Sequence, residues 1–298
     1  MDTDDPTLHA RAVGLYDAYT HEHRDRRTLL RQMTALAGSA AAAEALILGI
    51  AASPAAAALT DPADARLVTR KGGYAIGGGA RMTGYFAAPR DAGRPVGAVM
   101  VIHENRGLQP HIEDVARRVA LAGFFAVAPD FLSAQGGTPA NEDAARDLIA
   151  AADMDAVLAA AVATVGRLGR LAHGTGRVGT VGFCWGGALA NRVALAAGPG
   201  LAAAVSYYGP APDPAEADRL AVPLMLHYAG KDARVAQTGE PWVAALKAAG
   251  KPVEAFTYPG VDHAFNNDTA AQRYDKPAAD LAWGRTIAFF HQHLDPPA

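Results

Sequence analysis

One cysteine in 298 residues, Cys184, has no partner for an internal disulfide and is too little thiol for a cysteine-based zinc cluster. It is either a small buried hydrophobe or a reactive group, and its neighbours must decide which. Charge of one sign is also scarce. A net charge of -3, with Lys and Arg scattered along the chain, provides no basic stripe to follow a phosphate backbone, so a nucleic-acid partner is not expected. Long apolar runs are missing as well. The most apolar N-terminal stretch is mostly alanine and is interrupted by Glu44 and by glycines, which argues against a stable membrane span. What remains is an ordinary globular balance, 50% hydrophobic and 19% charged, with enough apolar side chains for a sizeable core.

The chain divides by composition. Residues 1–60 begin with Asp2, Asp4 and Asp5, pass through Arg24-Asp25-Arg26-Arg27-Thr28-Leu29-Leu30-Arg31, and end in an Ala-rich stretch to Ala58. Paired arginines, two leucines, a run of small apolar residues and Ala55-Ala56-Ala57 resemble a twin-arginine export signal, which would take the protein to the periplasm. Glu44 inside the run and the long segment before the arginines fit that pattern poorly. The alternative is a helical arm on a cytoplasmic protein, since Leu15, Tyr19, Leu29, Leu30, Met33 and Leu36 recur at helical spacing. Both readings stay open at this level.

Residues 61–298 alternate short apolar runs with longer helix-period segments, the pattern of βα units around a mostly parallel sheet flanked by helices. Leu67–Val68 and Tyr74–Tyr85 read as antiparallel edge strands joined through Gly72-Gly73 and Gly77-Gly78-Gly79. The core strands are expected at Val96–Ile102, Phe124–Ala128, Val178–Phe183, Ala202–Tyr208, Leu224–Tyr228 and Val253–Tyr258. Helices are expected at Asn141–Val165 and Ala278–His293.

The chemistry-bearing stretch is Gly182-Phe183-Cys184-Trp185-Gly186-Gly187. An apolar strand before it, an Ala-rich helix after it, and glycine two residues on either side of Cys184 make the nucleophile elbow of an α/β-hydrolase. Such an apex is sterically crowded, which explains the glycines. A thiol at a helix N-terminus is activated by the helix dipole and a nearby base. The fold places its acid after a later strand and its histidine after the last one. Asp232, in Gly230-Lys231-Asp232, and His263, in Pro259-Gly260-Val261-Asp262-His263-Ala264-Phe265, follow that order. His263 would take the thiol proton and Asp232 would set its tautomer, with Asp262 and Asp268 as alternative acids. The backbone N–H groups of Trp185 and Asn105 would form the oxyanion hole, with the Trp185 ring as a pocket wall.

Two motifs are set aside. His103-Glu104 opens like a zinc-protease sequence, but Gly107 stands where the second histidine is required. Gly174-Thr175-Gly176-Arg177-Val178-Gly179 spells a dinucleotide pattern on the wrong side of its strand.

Taken together, His103-Glu104-Asn105-Arg106-Gly107-Leu108, Ala128-Pro129-Asp130, the Cys184 elbow, Gly230-Lys231-Asp232 and Asp262-His263-Ala264-Phe265 resemble the dienelactone hydrolase (carboxymethylenebutenolidase) family over roughly residues 65–295. The resemblance implies a cysteine acyl-enzyme that opens an enol-lactone, a glutamate (Glu104) that holds and releases the thiol, and neither metal nor organic cofactor. It also implies two arginines gripping the substrate carboxylate. Here Gln135 and Asn267 stand at those places, which leaves Arg106 or Arg273 to compensate. The expected partner is a small ester or lactone; general ester or thioester hydrolysis, non-catalytic ligand binding and assembly as a homodimer stay open.

Overall fold

The computed structural model describes residues 6–22, 24–51 and 59–296. Three helices come first: α1 (Pro6–His21), α2 (Arg26–Ala37) and α3 (Ala40–Ile50). The body follows as β1 (Leu67–Gly77), β2 (Ala80–Pro89), β3 (Val96–Ile102), α4 (Pro110–Leu121), β4 (Phe125–Pro129), α5 (Glu142–Ala150), α6 (Met154–Leu168), β5 (Gly174–Phe183), α7 (Trp185–Ala196), β6 (Ala203–Tyr207), β7 (Leu224–Ala229), α8 (Ala233–Ala248), β8 (Val253–Tyr258) and α9 (Lys276–Leu294). The strands form an 8-stranded sheet in the order β1-β2-β4-β3-β5-β6-β7-β8. The β1–β2 and β2–β4 pairs are antiparallel and the others parallel. This is the α/β-hydrolase architecture, and each catalytic candidate follows the C-terminal end of a parallel strand.

Local chemistry explains the elements and two departures from the sequence reading. Gly77, Gly78 and Gly79 all have positive φ and make the hairpin turn, whereas Gly72 and Gly73 lie within β1, paired to Gly84 and Thr83. The expected Tyr74–Tyr85 strand is therefore split by that turn. The expected single helix Asn141–Val165 is two helices. Asp153 caps the second, its side chain accepting from the backbone N–H of Asp155 and Ala156, so the chain restarts there. The Gly174-Thr175-Gly176 segment runs inside β5 and makes no strand-to-helix turn.

Alternation along β3 builds both core layers. Val99 and Val101 pack with α4 and α9 residues such as Val115, Val119, Phe289 and Phe290. Met100 and Ile102 face the other layer, with Val165 of α6, Leu189 of α7 and Trp242 of α8. All four β3 side chains are fully buried, and at roughly 1.5–3 kcal/mol per large apolar side chain such layers dominate stability.

The first three helices have their own apolar cluster, in which Ala12, Val13, Tyr16, Tyr19, Leu29, Met33, Leu36, Ala43, Leu46, Ile47 and Ile50 are buried. Asp25 caps α2 through the Thr28 N–H, Gly38 ends it in the left-handed region, and Ser39 caps α3. The arginine pair thus opens a capped helix, and Glu44 is exposed on α3. Ala55-Ala56-Ala57, the end of the signal-like pattern, lies outside the described residues, as do Asp2, Asp4 and Asp5. Among the described residues no single helix is long and apolar enough to cross a membrane.

Polar contacts seat this cluster over the sheet's C-terminal edge. The Arg106 guanidinium donates to Tyr16 Oη and Glu142 Oε2, both at 2.8 Å. Tyr19 Oη donates to Asp143 at 2.6 Å, and Asn105 Nδ2 donates to the Thr20 carbonyl at 2.9 Å. From the far side, Arg273 Nε donates to the Ile50 carbonyl at 3.0 Å, and its Nη1 lies 3.6 Å from Asp17.

Candidate active site

The turn from β5 into α7 forces the site's geometry. Cys184 has φ 56° and ψ −114°, a conformation rare for a residue with a side chain. A Cβ on Gly182 would overlap the Gly186 carbonyl, and one on Gly186 would sit 2.5 Å from the Ile102 oxygen. Both elbow glycines are therefore required by close backbone approach. The Cys184 amide donates to the Tyr207 carbonyl at 3.0 Å, tying the apex to the neighbouring strand, and its thiol is buried at the start of α7.

The loops after β7 and β8 are fastened to one another. The Gly230 N–H donates to Tyr258 O at 2.8 Å and the Lys231 N–H to Val261 O at 3.0 Å. This brings Asp232 beneath His263. Asp232 Oδ1 caps α8 through the Val235 N–H at 3.1 Å, leaving Oδ2 to meet His263 Nδ1 at 2.5 Å. The alternative acids are engaged elsewhere: Asp262 with Lys231 at 3.3 Å, and Asp268 with His111 at 2.8 Å. Burial opposes ionisation of Asp232, but the hydrogen bond and charge of His263 outweigh it and hold the carboxyl at about 2. Burial likewise opposes protonation of His263, but its electrostatic interaction with Cys184 and the hydrogen bond to Asp232 raise the ring to about 10.

A residue not anticipated from the sequence completes the cluster. His21, the last residue of α1, places Nε2 3.2 Å from His263 Nε2 and 3.6 Å from Cys184 Sγ. The two imidazoles meet edge to face with centroids 4.7 Å apart. Burial, then the positive charge of His263, push His21 down to about 2, so it is neutral at physiological pH. Tyr208, also unanticipated, has φ 39° and its ring lies 4.9 Å from that of His263.

The other predicted residues fall into two groups. Glu104, Asn105, Arg106, Cys184, His263 and Arg273 line one small space together with Tyr16 and His21. Glu104 accepts from Asn267 Nδ2 at 2.8 Å and Tyr208 Oη at 3.4 Å, and among the described residues no hydrogen bond joins it to Cys184. Asn267 is buried and braces Glu104, so it supports that carboxylate. Gln135 is exposed and does not line the cavity at Cys184, so the structure does not bring it to the site. Arg106 and Arg273 reach the neighbourhood but are occupied with α1 and α3, as described above. His103 is buried, accepts from the Phe131 N–H at 3.2 Å, and stacks 5.3 Å from Trp185, which fixes that ring as a wall.

That wall bounds a cavity of about 640 Å³ between α2, α5 and the elbow. Thr20, His21, Ile149, Met154, Cys184, Trp185, Ala188 and Pro210 line it, with Arg24, Arg26, Arg146 and Arg234 at its polar side. Arg26 pairs with Asp143 at 3.0 Å and Arg146 with Asp147 at 2.8 Å. Arg234 is half-buried, and none of the ion pairs among the described residues includes it.

Comparison with known proteins agrees with this architecture. Residues 82–294 match the model of the dienelactone hydrolase family. The chain belongs to the dienelactone hydrolase family. It is 31% identical over 229 residues to a protein of Escherichia coli K12 named "Putative carboxymethylenebutenolidase", covering 72% of this chain and 84% of the relative. The crystal structure of the "Putative Dienelactone Hydrolase" of Klebsiella pneumoniae superposes with a TM-score of 0.69 at 30% identity, over 76% of this chain and 99% of that one. A thermostable esterase of Pseudomonas putida shares the fold over 99% of this chain and 100% of its own, with a TM-score of 0.66 at 14% identity. As a dienelactone hydrolase family member, the chain is a hydrolase of ester or enol-lactone bonds.

Proposed function

We propose that this hydrolase cleaves a carboxylic ester or lactone through a covalent thioester on Cys184, with His263 as the proton carrier and Asp232 as its positioning partner. The observation that carries the reading is the 2.5 Å contact between Asp232 Oδ2 and His263 Nδ1, which turns Nε2 toward the buried thiol at the elbow. His263, raised to about 10, keeps a proton on the imidazole, ready for the leaving group once the sulfur attacks as a thiolate.

Sulfur attacks the acyl carbon, and the carbonyl oxygen gains charge. The Trp185 amide, at the start of a helix and so without an intrahelical acceptor, and the Asn105 amide are the donors that meet it. The C–O bond then breaks as His263 gives its proton to the leaving alkoxide. Water enters, yields a proton to the same ring, and attacks the thioester; release of the acid restores thiolate and imidazolium.

Small esters or thioesters are favoured over dienelactone itself by one observation. Neither Gln135 nor Asn267 offers a cation, and Arg106 and Arg273 are occupied in holding the N-terminal helices. An anionic group on the substrate would instead meet Arg234 in the cavity. The fit of buried apolar side chains in α1–α3 supports the helical-arm reading of residues 1–60 over the export-signal reading.

The test is hydrolysis of p-nitrophenyl acetate, longer esters, thioesters and dienelactone by wild type and Cys184→Ala. The expected result is a loss of at least about a thousandfold in kcat/KM. Equal turnover by both would refute the thiol mechanism, and no turnover of any substrate by wild type would favour a binding protein.

A further inference from the structure

Three donor atoms from distant parts of the chain converge beneath α1. His21 Nε2, Cys184 Sγ and a ring nitrogen of His263 all lie within 4.8 Å of one another. We propose that His21, Cys184 and His263 form a three-ligand site for a divalent transition-metal ion of borderline softness, with Zn²⁺ the best fit.

The geometry carries this. Around a tetrahedral Zn²⁺ with bonds of about 2.05 Å to nitrogen and about 2.3 Å to sulfur, two nitrogens stand about 3.3 Å apart and a nitrogen and sulfur about 3.6 Å apart. The corresponding separations here are 3.2 Å between His21 and His263 and 3.6 Å between His21 and Cys184. Two imidazoles and one thiolate are also a donor set suited to zinc. Metal-bound histidines typically have their second nitrogen held by a carboxylate, and Asp232 does this for His263 at 2.5 Å.

A second observation points the same way. His21 Nδ1 is buried without a hydrogen-bond partner, and Asp17 Oδ1, one helical turn earlier on α1, also accepts no hydrogen bond, its contact with Arg273 being an ion pair at 3.6 Å. Residues four apart on a helix are neighbours, so Asp17 is placed on the same face as His21, where a carboxylate could accept from Nδ1–H and leave the Nε2 lone pair to the metal. The fourth coordination position opens to the cavity that His21 and Cys184 line, where water or a substrate oxygen can enter.

The proton balance is simple. Zn²⁺ binds the thiolate sulfur and both Nε2 lone pairs, and the one proton held by the Cys184–His263 pair goes to solvent. Where the hydrolytic reading holds, the ion occupies the very lone pairs that reaction needs. Metal binding and ester cleavage therefore exclude one another, and His21 sets how tightly the ion competes.

The test uses the full chain stripped with EDTA. Zn²⁺ is titrated calorimetrically, and Co²⁺ is titrated while near-ultraviolet thiolate-to-cobalt charge-transfer absorption is followed. Expected are one ion per chain, a charge-transfer band that disappears in Cys184→Ser, and Zn²⁺ binding weakened at least about tenfold in His21→Ala. Absence of the band in wild type, or equal Zn²⁺ affinity in wild type and His21→Ala, overturns the proposal. The band is read on unaltered protein, so it needs no variant to fold. Hydrolysis assayed separately in EDTA shows whether the hydrolytic reading stands, so either can fail alone.

Discussion

His21 Nε2 lies 3.2 Å from His263 Nε2, although 242 residues separate them. The N-terminal helices are therefore part of the surroundings of the Cys184 thiol, and the site is roofed by residues outside the 82–294 span that the family model matches.

Replacing Asp232 by Asn should lower kcat by at least about a hundredfold while the fold survives, because the amide favours the wrong imidazole tautomer. The pair also sets the pH range of stability. His263, raised to about 10, contributes stability that is complete below its unfolded value near 6.5 and is lost as pH rises through about 10. Asp232, held at about 2, contributes about 2 kcal/mol that is complete above its unfolded value near 3.8 and is lost as pH falls through about 2. Urea unfolding across pH should show a plateau between these limits, and Asp232→Asn should lose that acid-side contribution.

Gly186→Ala should cost about 2–3 kcal/mol or more and abolish activity. The new methyl has no room beside the Ile102 and His103 carbonyls, and backbone cannot yield as a flexible side chain can. Thermal unfolding with circular dichroism checks the first effect; an unchanged melting temperature would contradict the close approach at the elbow.

Arg234→Ala should raise KM for an ester carrying a carboxylate about tenfold while neutral esters change little, since one charge-assisted contact is worth about 1.5–3 kcal/mol. A parallel effect on both kinds of ester would show that Arg234 does not select for charge.

Arg273→Ala should loosen the N-terminal helices. Its guanidinium donates to the Ile50 carbonyl at 3.0 Å and forms an ion pair with Asp17 at 3.6 Å, and its loss leaves the carbonyl without its donor and Asp17 without its cation. Limited proteolysis should then cut within α1–α3 several times faster than in wild type, with cleavage of the β3–α9 body little changed.

Much of the fold was legible because its signals are local. The β3, β6 and β7 runs and the Val178–Phe183 part of β5 are buried on both faces, so apolar composition alone marks them, whereas β8, expected to be equally buried, is the sheet's edge and buries only Tyr258; Gly182 and Gly186 mark an elbow that admits no side chain. Local signals mislead where two structures share one pattern. The helical period of apolar residues continues across Asp153, whose cap divides α5 from α6, and Gly72-Gly73 carries the same local signal as the turn at Gly77-Gly78-Gly79 although it lies within β1.

The sequence by itself determined the sheet, the elbow and the chain order of Cys184, Asp232 and His263, because each depends on steric and periodic rules acting over a few residues. Only the tertiary structure decided that Asp232 rather than Asp262 or Asp268 meets His263, that the Arg106 and Arg273 guanidiniums contact α1 and α3, and that His21 reaches the thiol. Those pairings depend on where α1 docks and how two loops fasten together, and such long-range packing leaves no mark in the spacing of residues 163 or 242 positions apart.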